Sequence, residues 1–127
     1  MRPLVQSFRE LEVYQAAFRF QQHVFEVSKQ WPGDERFALT DQIRRSSRSI
    51  GANISESWAK RRYPAHFLSK LTDADGELQE TTHWLDTALA CGYLAQNDHS
   101  ALTAAISSIG KMLGSMISQY ESFCTVH

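Results

Sequence analysis

The sequence predicts an all-α protein, an antiparallel up-down-up-down four-helix bundle, and three observations lead there. Apolar residues recur at alternating steps of three and four in four separate segments, as in helices that bury one face. No long apolar–polar alternation bounded by hairpin turns occurs, so nothing reads as a strand. The connections are about four to seven residues long, which makes consecutive helices antiparallel neighbours. The helices are expected at about 8–31, 36–59, 64–91 and 98–123, within one domain spanning 1–127.

In the first helix Val13, Ala17, Phe20, Val24, Val27 and Trp31 form the seam. Leu11, Tyr14, Phe18 and Phe25 add a second apolar strip, so this helix is expected to be covered on more than one side. Pro32-Gly33 stops it. The second helix buries Leu39, Ile43, Ile50, Ile54 and Trp58. Ser46, Ser47, Gly51 and Ala52 lie between them and let a neighbouring backbone come close, although Gly51 costs about 1 kcal/mol of helix propensity against Ala. Lys60-Arg61-Arg62-Tyr63 connects to Pro64, which suits the first turn of the third helix.

The third helix keeps its rhythm through Phe67, Leu71, Ala74, Leu78, Thr81, Leu85 and Ala88. Gly92 is its expected C-cap, and Tyr93 and Leu94 are expected to fold back as an apolar plug. The fourth buries Leu102, Ile106, Ile109, Leu113, Met116 and Tyr120, with Asn97 or Asp98 capping its start. Heptad-like seams of this kind favour left-handed packing at about 20°.

A chain of 127 residues, 43% of them hydrophobic, is long enough to bury a core. No run of about 18 apolar residues is present, and Met1-Arg2-Pro3-Leu4-Val5-Gln6 lacks the apolar region of a secretory signal. A cytoplasmic protein with no membrane partner is therefore expected. Cys91 and Cys124 end the third and fourth helices and so fall at opposite poles of the bundle. Free thiols are expected, not a disulfide, which needs Cα atoms within about 7 Å.

The net charge of −1 conceals a polarised chain. Residues 36–70 carry eight basic side chains against two acidic ones, and residues 71–127 carry one basic side chain against seven acidic ones. Arg44, Arg45 and Arg48 cluster on the second helix, with Lys60, Arg61 and Arg62 beyond its end. Like charges at that spacing repel, so something must offset them. Asp41 is expected to relieve Arg45, and the candidates for the remainder are the acidic third helix, another subunit or phosphate. The flanking aromatics Trp58, Tyr63 and Phe67 offer stacking surfaces but read better as closing the core. Asn53 and Glu56 read as structural polar residues, Asn53 fixing register at a helix contact.

Constellations for chemistry are weak. The di-iron bundle pattern needs Glu-x-x-His on two helices and a Glu on each of the others. Glu80 and His83 supply it once, and His23 and Glu26 supply it in reverse order. Glu80 and His83 also fall off the buried seam and read as solvated. No nucleophile elbow and no phosphate-binding glycine loop is present. No catalytic residue, metal or cofactor is expected.

The stretches Phe8-Arg9-Glu10-Leu11-Glu12-Val13-Tyr14, Gln42-Ile43-Arg44-Arg45-Ser46-Ser47-Arg48-Ser49-Ile50-Gly51-Ala52-Asn53-Ile54-Ser55-Glu56, Phe67-Leu68 and Gly92-Tyr93-Leu94 occur in that order. In these the chain resembles the bacterial 23S rRNA intervening-sequence proteins, a family also labelled S23, to which the accessory variability determinant of diversity-generating retroelements is related. The resemblance covers nearly the whole chain. It implies an up-down four-helix bundle assembling as a ring-like homopentamer, of unknown molecular role in most members, and a nucleic-acid-binding relative.

The leading expectation is a non-enzymatic homo-oligomeric interaction or scaffold protein, in which the basic and acidic segments complement each other head to tail, with an unidentified protein partner as a further candidate. RNA or DNA binding through Arg44, Arg45, Arg48, Lys60, Arg61 and Arg62 is the alternative, although a pI near 6.5 lacks the strongly basic footprint of a dedicated binder. A metal-dependent enzyme is the remote one.

Overall fold

The computed structural model describes residues 5–124. These form α1 (Glu12–Ser28), α2 (Leu39–Ala59), α3 (Pro64–Ala90), α4 (Gln96–Ser118) and a final turn, α5 (Tyr120–Phe123), with single 3₁₀ turns at Phe8–Glu10 and Gly33–Glu35. No strand occurs among the described residues. Each long helix packs on two others, α1 on α2 and α4, and α3 on α2 and α4, so the four close into a bundle. The predicted seams form its core: Val13, Ala17, Phe20 and Val24 meet Ile43, Ile50, Ile54, Phe67, Leu71, Leu78, Leu85, Leu102, Ile109 and Leu113.

The ends depart from the periodicity in instructive ways. Residues 8–10 do not belong to the first long helix. Leu11 is extended (φ −70°, ψ 128°), and Phe8–Glu10 is a separate turn in which Glu10 Oε2 accepts from Ser7 N at 2.8 Å. α1 ends at Ser28, before Pro32-Gly33, and leaves Trp31 outside the helix yet buried at the pole. There Tyr93 packs 6.3 Å from Trp31 and Leu94 is buried, which forms the plug. The Tyr93 hydroxyl donates to Glu35 Oε2 at 2.9 Å, and this bond pushes its pKa up.

The second helix starts at Leu39, not at Arg36. Ala38 breaks helical geometry (φ −124°, ψ −105°), and Glu35 Oε1 accepts from Leu39 N at 3.3 Å, satisfying one of the donors a helix start exposes. Arg36 and Phe37 therefore lie in the turn before α2. Ala95, not Asn97 or Asp98, is the N-cap of α4, and no side chain caps it; Asn97 and Asp98 fall in the first turn.

Gly92 does end α3, with φ 79° in a Schellman arrangement: Tyr93 N donates to Ala88 O and Gly92 N to Leu89 O, each at 3.0 Å. Gln119 (φ −116°, ψ 26°) separates α4 from α5. Cys91 and Cys124 are free.

Of the small residues on α2, Ser46 and Ser47 are buried. Gly51 faces Tyr14 of α1, and Ala52 is exposed. The second apolar strip of α1 is only partly buried. Leu11 is buried, Tyr14 packs edge-on against Phe8 with ring centroids 4.8 Å apart, and Phe18 is 45% exposed.

α4 is the one helix among the described residues long and apolar enough, by length and composition, to cross a membrane. Its large apolar side chains, Leu102, Ile106, Ile109, Leu113 and Met116, are buried in the bundle. Its outward positions are mostly small and uncharged, among them Ala101, Ala104, Ser107, Ser108 and Ser115.

Candidate functional site

α2 turns Ile43, Ser46, Ser47, Ile50 and Ile54 inward. The arginines between them are left on its flanks, and the flanks face different helices. The cluster therefore splits. Arg45 leans toward α3, where its Nη1 donates to Glu77 Oε2 at 3.1 Å and its Nη2 pairs with Glu80 Oε2. Glu80 also accepts from the indole N–H of Trp84 at 3.0 Å. That indole bond, followed by the Arg45 guanidinium, holds the Glu80 carboxyl below the usual carboxylate range, and the bond to Glu80 raises Arg45 in turn.

Asp41 is thus not the partner of Arg45. It lies one turn before Arg45 on the same helix, whereas Glu77 and Glu80 reach the guanidinium directly from α3. Glu80 is not the solvated residue expected either, because a cation and an indole converge on it. His83, one turn away, is exposed and packs on Trp84 with ring centroids 4.8 Å apart.

Arg44 and Arg48 lean the other way, toward α1. Arg44 Nε donates to Ser28 Oγ at 2.9 Å. Its guanidinium carbon lies 4.7 Å from the centroid of the Phe25 ring, and that of Arg48 lies 5.5 Å from it. Phe25, from the second apolar strip of α1, is covered by cations rather than by apolar side chains. Neither arginine has a carboxylate partner among the described residues. Together with Arg36, Phe37, Thr40, Asp41 and Arg45 they line an open groove of about 440 Å³.

The loop cations are elsewhere. α2 is 21 residues long, about 30 Å, and Lys60, Arg61 and Arg62 follow its far end. Arg61 is folded back, with Nε donating to Trp58 O at 2.8 Å and its guanidinium 3.7 Å from the Trp58 ring centroid. Arg62 lies 5.9 Å from the Tyr63 ring. Trp58 and Phe67 are buried, as expected, but Tyr63 is 56% exposed. It follows the end of α2, outside the core. Half-buried Asn53 donates to Ser49 O at 2.9 Å. Glu56 pairs with Lys70 of α3 at 2.8 Å, which lowers its pKa.

Among the described residues no three His, Cys, Asp or Glu side chains converge as a metal site would require. Phe37, Phe25, Ser28 and Trp84 belong to the site but were not singled out for it by the sequence. The available signal was the Arg36-Phe37 pair directly ahead of a helix and the aromatic of α1 outside the main seam.

A model of the 23S rRNA-intervening sequence proteins matches residues 9–115. The chain belongs to that family. It is also similar to a solved protein of unknown function from the S23 ribosomal protein family of Bacteroides thetaiotaomicron, at 28% identity and a TM-score of 0.75, over 84% of this chain and 95% of that one. No functionally curated protein matches the sequence. Neither similarity names the accessory variability determinant. The bundle expected from periodicity is therefore the family's architecture, and the Arg44–Arg45–Arg48 cluster of α2 lies within the matched region.

Proposed function

We propose that this intervening-sequence family member is a non-catalytic, cytoplasmic, homo-oligomeric scaffold, with the ring-like pentamer that the family resemblance implies. The outward face of α4 carries the reading. Across 23 residues this helix has only Asp98, His99 and Lys111 as acidic or basic side chains, and it turns Ala101, Ala104, Ser107, Ser108 and Ser115 away from its own core. Small uncharged side chains let a second helix approach closely without stranding a charge. Arg45 pairs with Glu77 and Glu80 within the chain and so is not left for a neighbour.

Native mass spectrometry and light scattering test this. The expected result is a multi-copy species at micromolar concentration that Ala104→Glu or Ser108→Glu dissociates into folded monomers, with unchanged helical circular dichroism. A monomeric wild-type protein overturns it.

A further inference from the structure

The groove ahead of α2 combines features that the scaffold reading leaves unused. Four arginines line it, with Asp41 as the one carboxylate. Arg45 is neutralised by Glu77 and Glu80, which leaves Arg36, Arg44 and Arg48 without carboxylate partners among the described residues. Arg44 and Arg48 are one turn apart, about 6 Å along the axis, comparable to the step between phosphates of an extended strand. Both guanidiniums rest on Phe25, and the Ser28 bond further fixes Arg44. At the rim Phe37 is 83% exposed, its ring 5.2 Å from the Arg36 guanidinium carbon. An aromatic face beside a row of held cations is the pairing that single-stranded nucleic acid needs, since a base stacks on the ring while its phosphates meet the arginines.

We infer that this groove binds single-stranded nucleic acid, with the phosphodiester backbone along Arg36, Arg44 and Arg48 and a base on Phe37. A duplex is disfavoured because paired bases keep their faces inside the stack. An acidic protein segment fits less well, because four of the seven lining residues are arginines and Phe37 is the one apolar side chain among them, which leaves little for the buried anchor on which protein interfaces depend. Asp41 opposes binding by repelling the strand. The inference goes beyond the scaffold reading and does not depend on copy number.

Fluorescence anisotropy with labelled oligouridylate and oligodeoxythymidylate, against a blunt duplex of matched length, tests it on the full chain. The strands are expected to bind alike, more tightly than the duplex, and with a log–log salt slope of about −2 for three phosphates. Phe37→Ala is expected to weaken binding about fivefold or more, and Phe37→Tyr to restore it. Asp41→Asn is expected to tighten binding, a sign that general destabilisation would not produce. Both positions are exposed, so folding survives even where Arg44→Gln, which loses the Ser28 bond, does not. Failure to bind strands at low salt, duplex binding as tight as strand binding, unchanged affinity in Phe37→Ala, or displacement of the strand by polyglutamate of equal charge would each overturn the inference.

Discussion

Thr81 Oγ1 and Ser46 Oγ hydrogen-bond at 2.8 Å across the α2–α3 interface, with both residues fully buried. They are a polar pair in a seam otherwise filled by Ile43, Ile50, Leu78 and Leu85. Thr81 Oγ1 also lies 2.8 Å from Glu77 O, one turn back on its own helix. Sliding α3 by one turn would break this bond and leave Ser46 with only its 3.4 Å contact to Ile43 O, so the pair favours one register as well as filling space.

Thr81→Val is expected to destabilise the fold by about 1–2 kcal/mol in urea unfolding, because Ser46 keeps only a 3.4 Å contact to Ile43 O. The double variant Ser46→Ala/Thr81→Val should lose less than the sum of its singles, since it leaves neither hydroxyl unpaired. Strict additivity would show that the hydroxyls are not coupled.

The lowered pKa of Glu80 makes stability depend on acid. Its pairing contributes fully above the unfolded carboxylate value of about 4.3 and is lost as pH falls through the lower folded value. Arg45 is about half exposed, so its share is below about 1 kcal/mol. Urea midpoints measured from pH 6 downward should fall more steeply for the wild type than for Glu80→Gln. Parallel profiles would remove Glu80 as the source.

Two glycines should respond with opposite signs. Gly92 holds φ 79°, so Gly92→Ala is expected to cost about 1–2 kcal/mol. Gly76 sits inside α3 with open space where a Cβ would go, so Gly76→Ala is expected to gain up to about 1 kcal/mol. Thermal or urea unfolding reads both, and a stabilising Gly92→Ala would contradict the Schellman end.

Phe67 is fully buried, with its ring centroid 6.2 Å from that of Phe123. Phe67→Ala is expected to cost about 3–5 kcal/mol and Phe67→Leu less, because a cavity adds to the lost burial. Equal losses for the two would indicate that the site collapses around the change.

The four helices, the residues that build the core and the glycine that ends α3 were legible because each is a local property. Apolar spacing along one helix decides which stripe must leave water, and a left-handed φ selects glycine wherever it occurs. The exact starts of α1 and α2 were not legible. They depend on the extended backbone of Leu11, the Ala38 kink and the side-chain cap from Glu35, none of which periodicity encodes.

By itself the sequence determined a polarised four-helix bundle with a basic second helix. Only the tertiary structure decided what each arginine does. Arg44 and Arg45 are adjacent in the chain but about 100° apart around the helix, so the rotation of α2 against its neighbours sends one to Phe25 and Ser28 and the other to Glu77 and Glu80. Long side chains follow the partners that packing brings within reach. That is why one basic run in the sequence became an internal clasp, an open groove and, some 30 Å away, a loop folded onto Trp58.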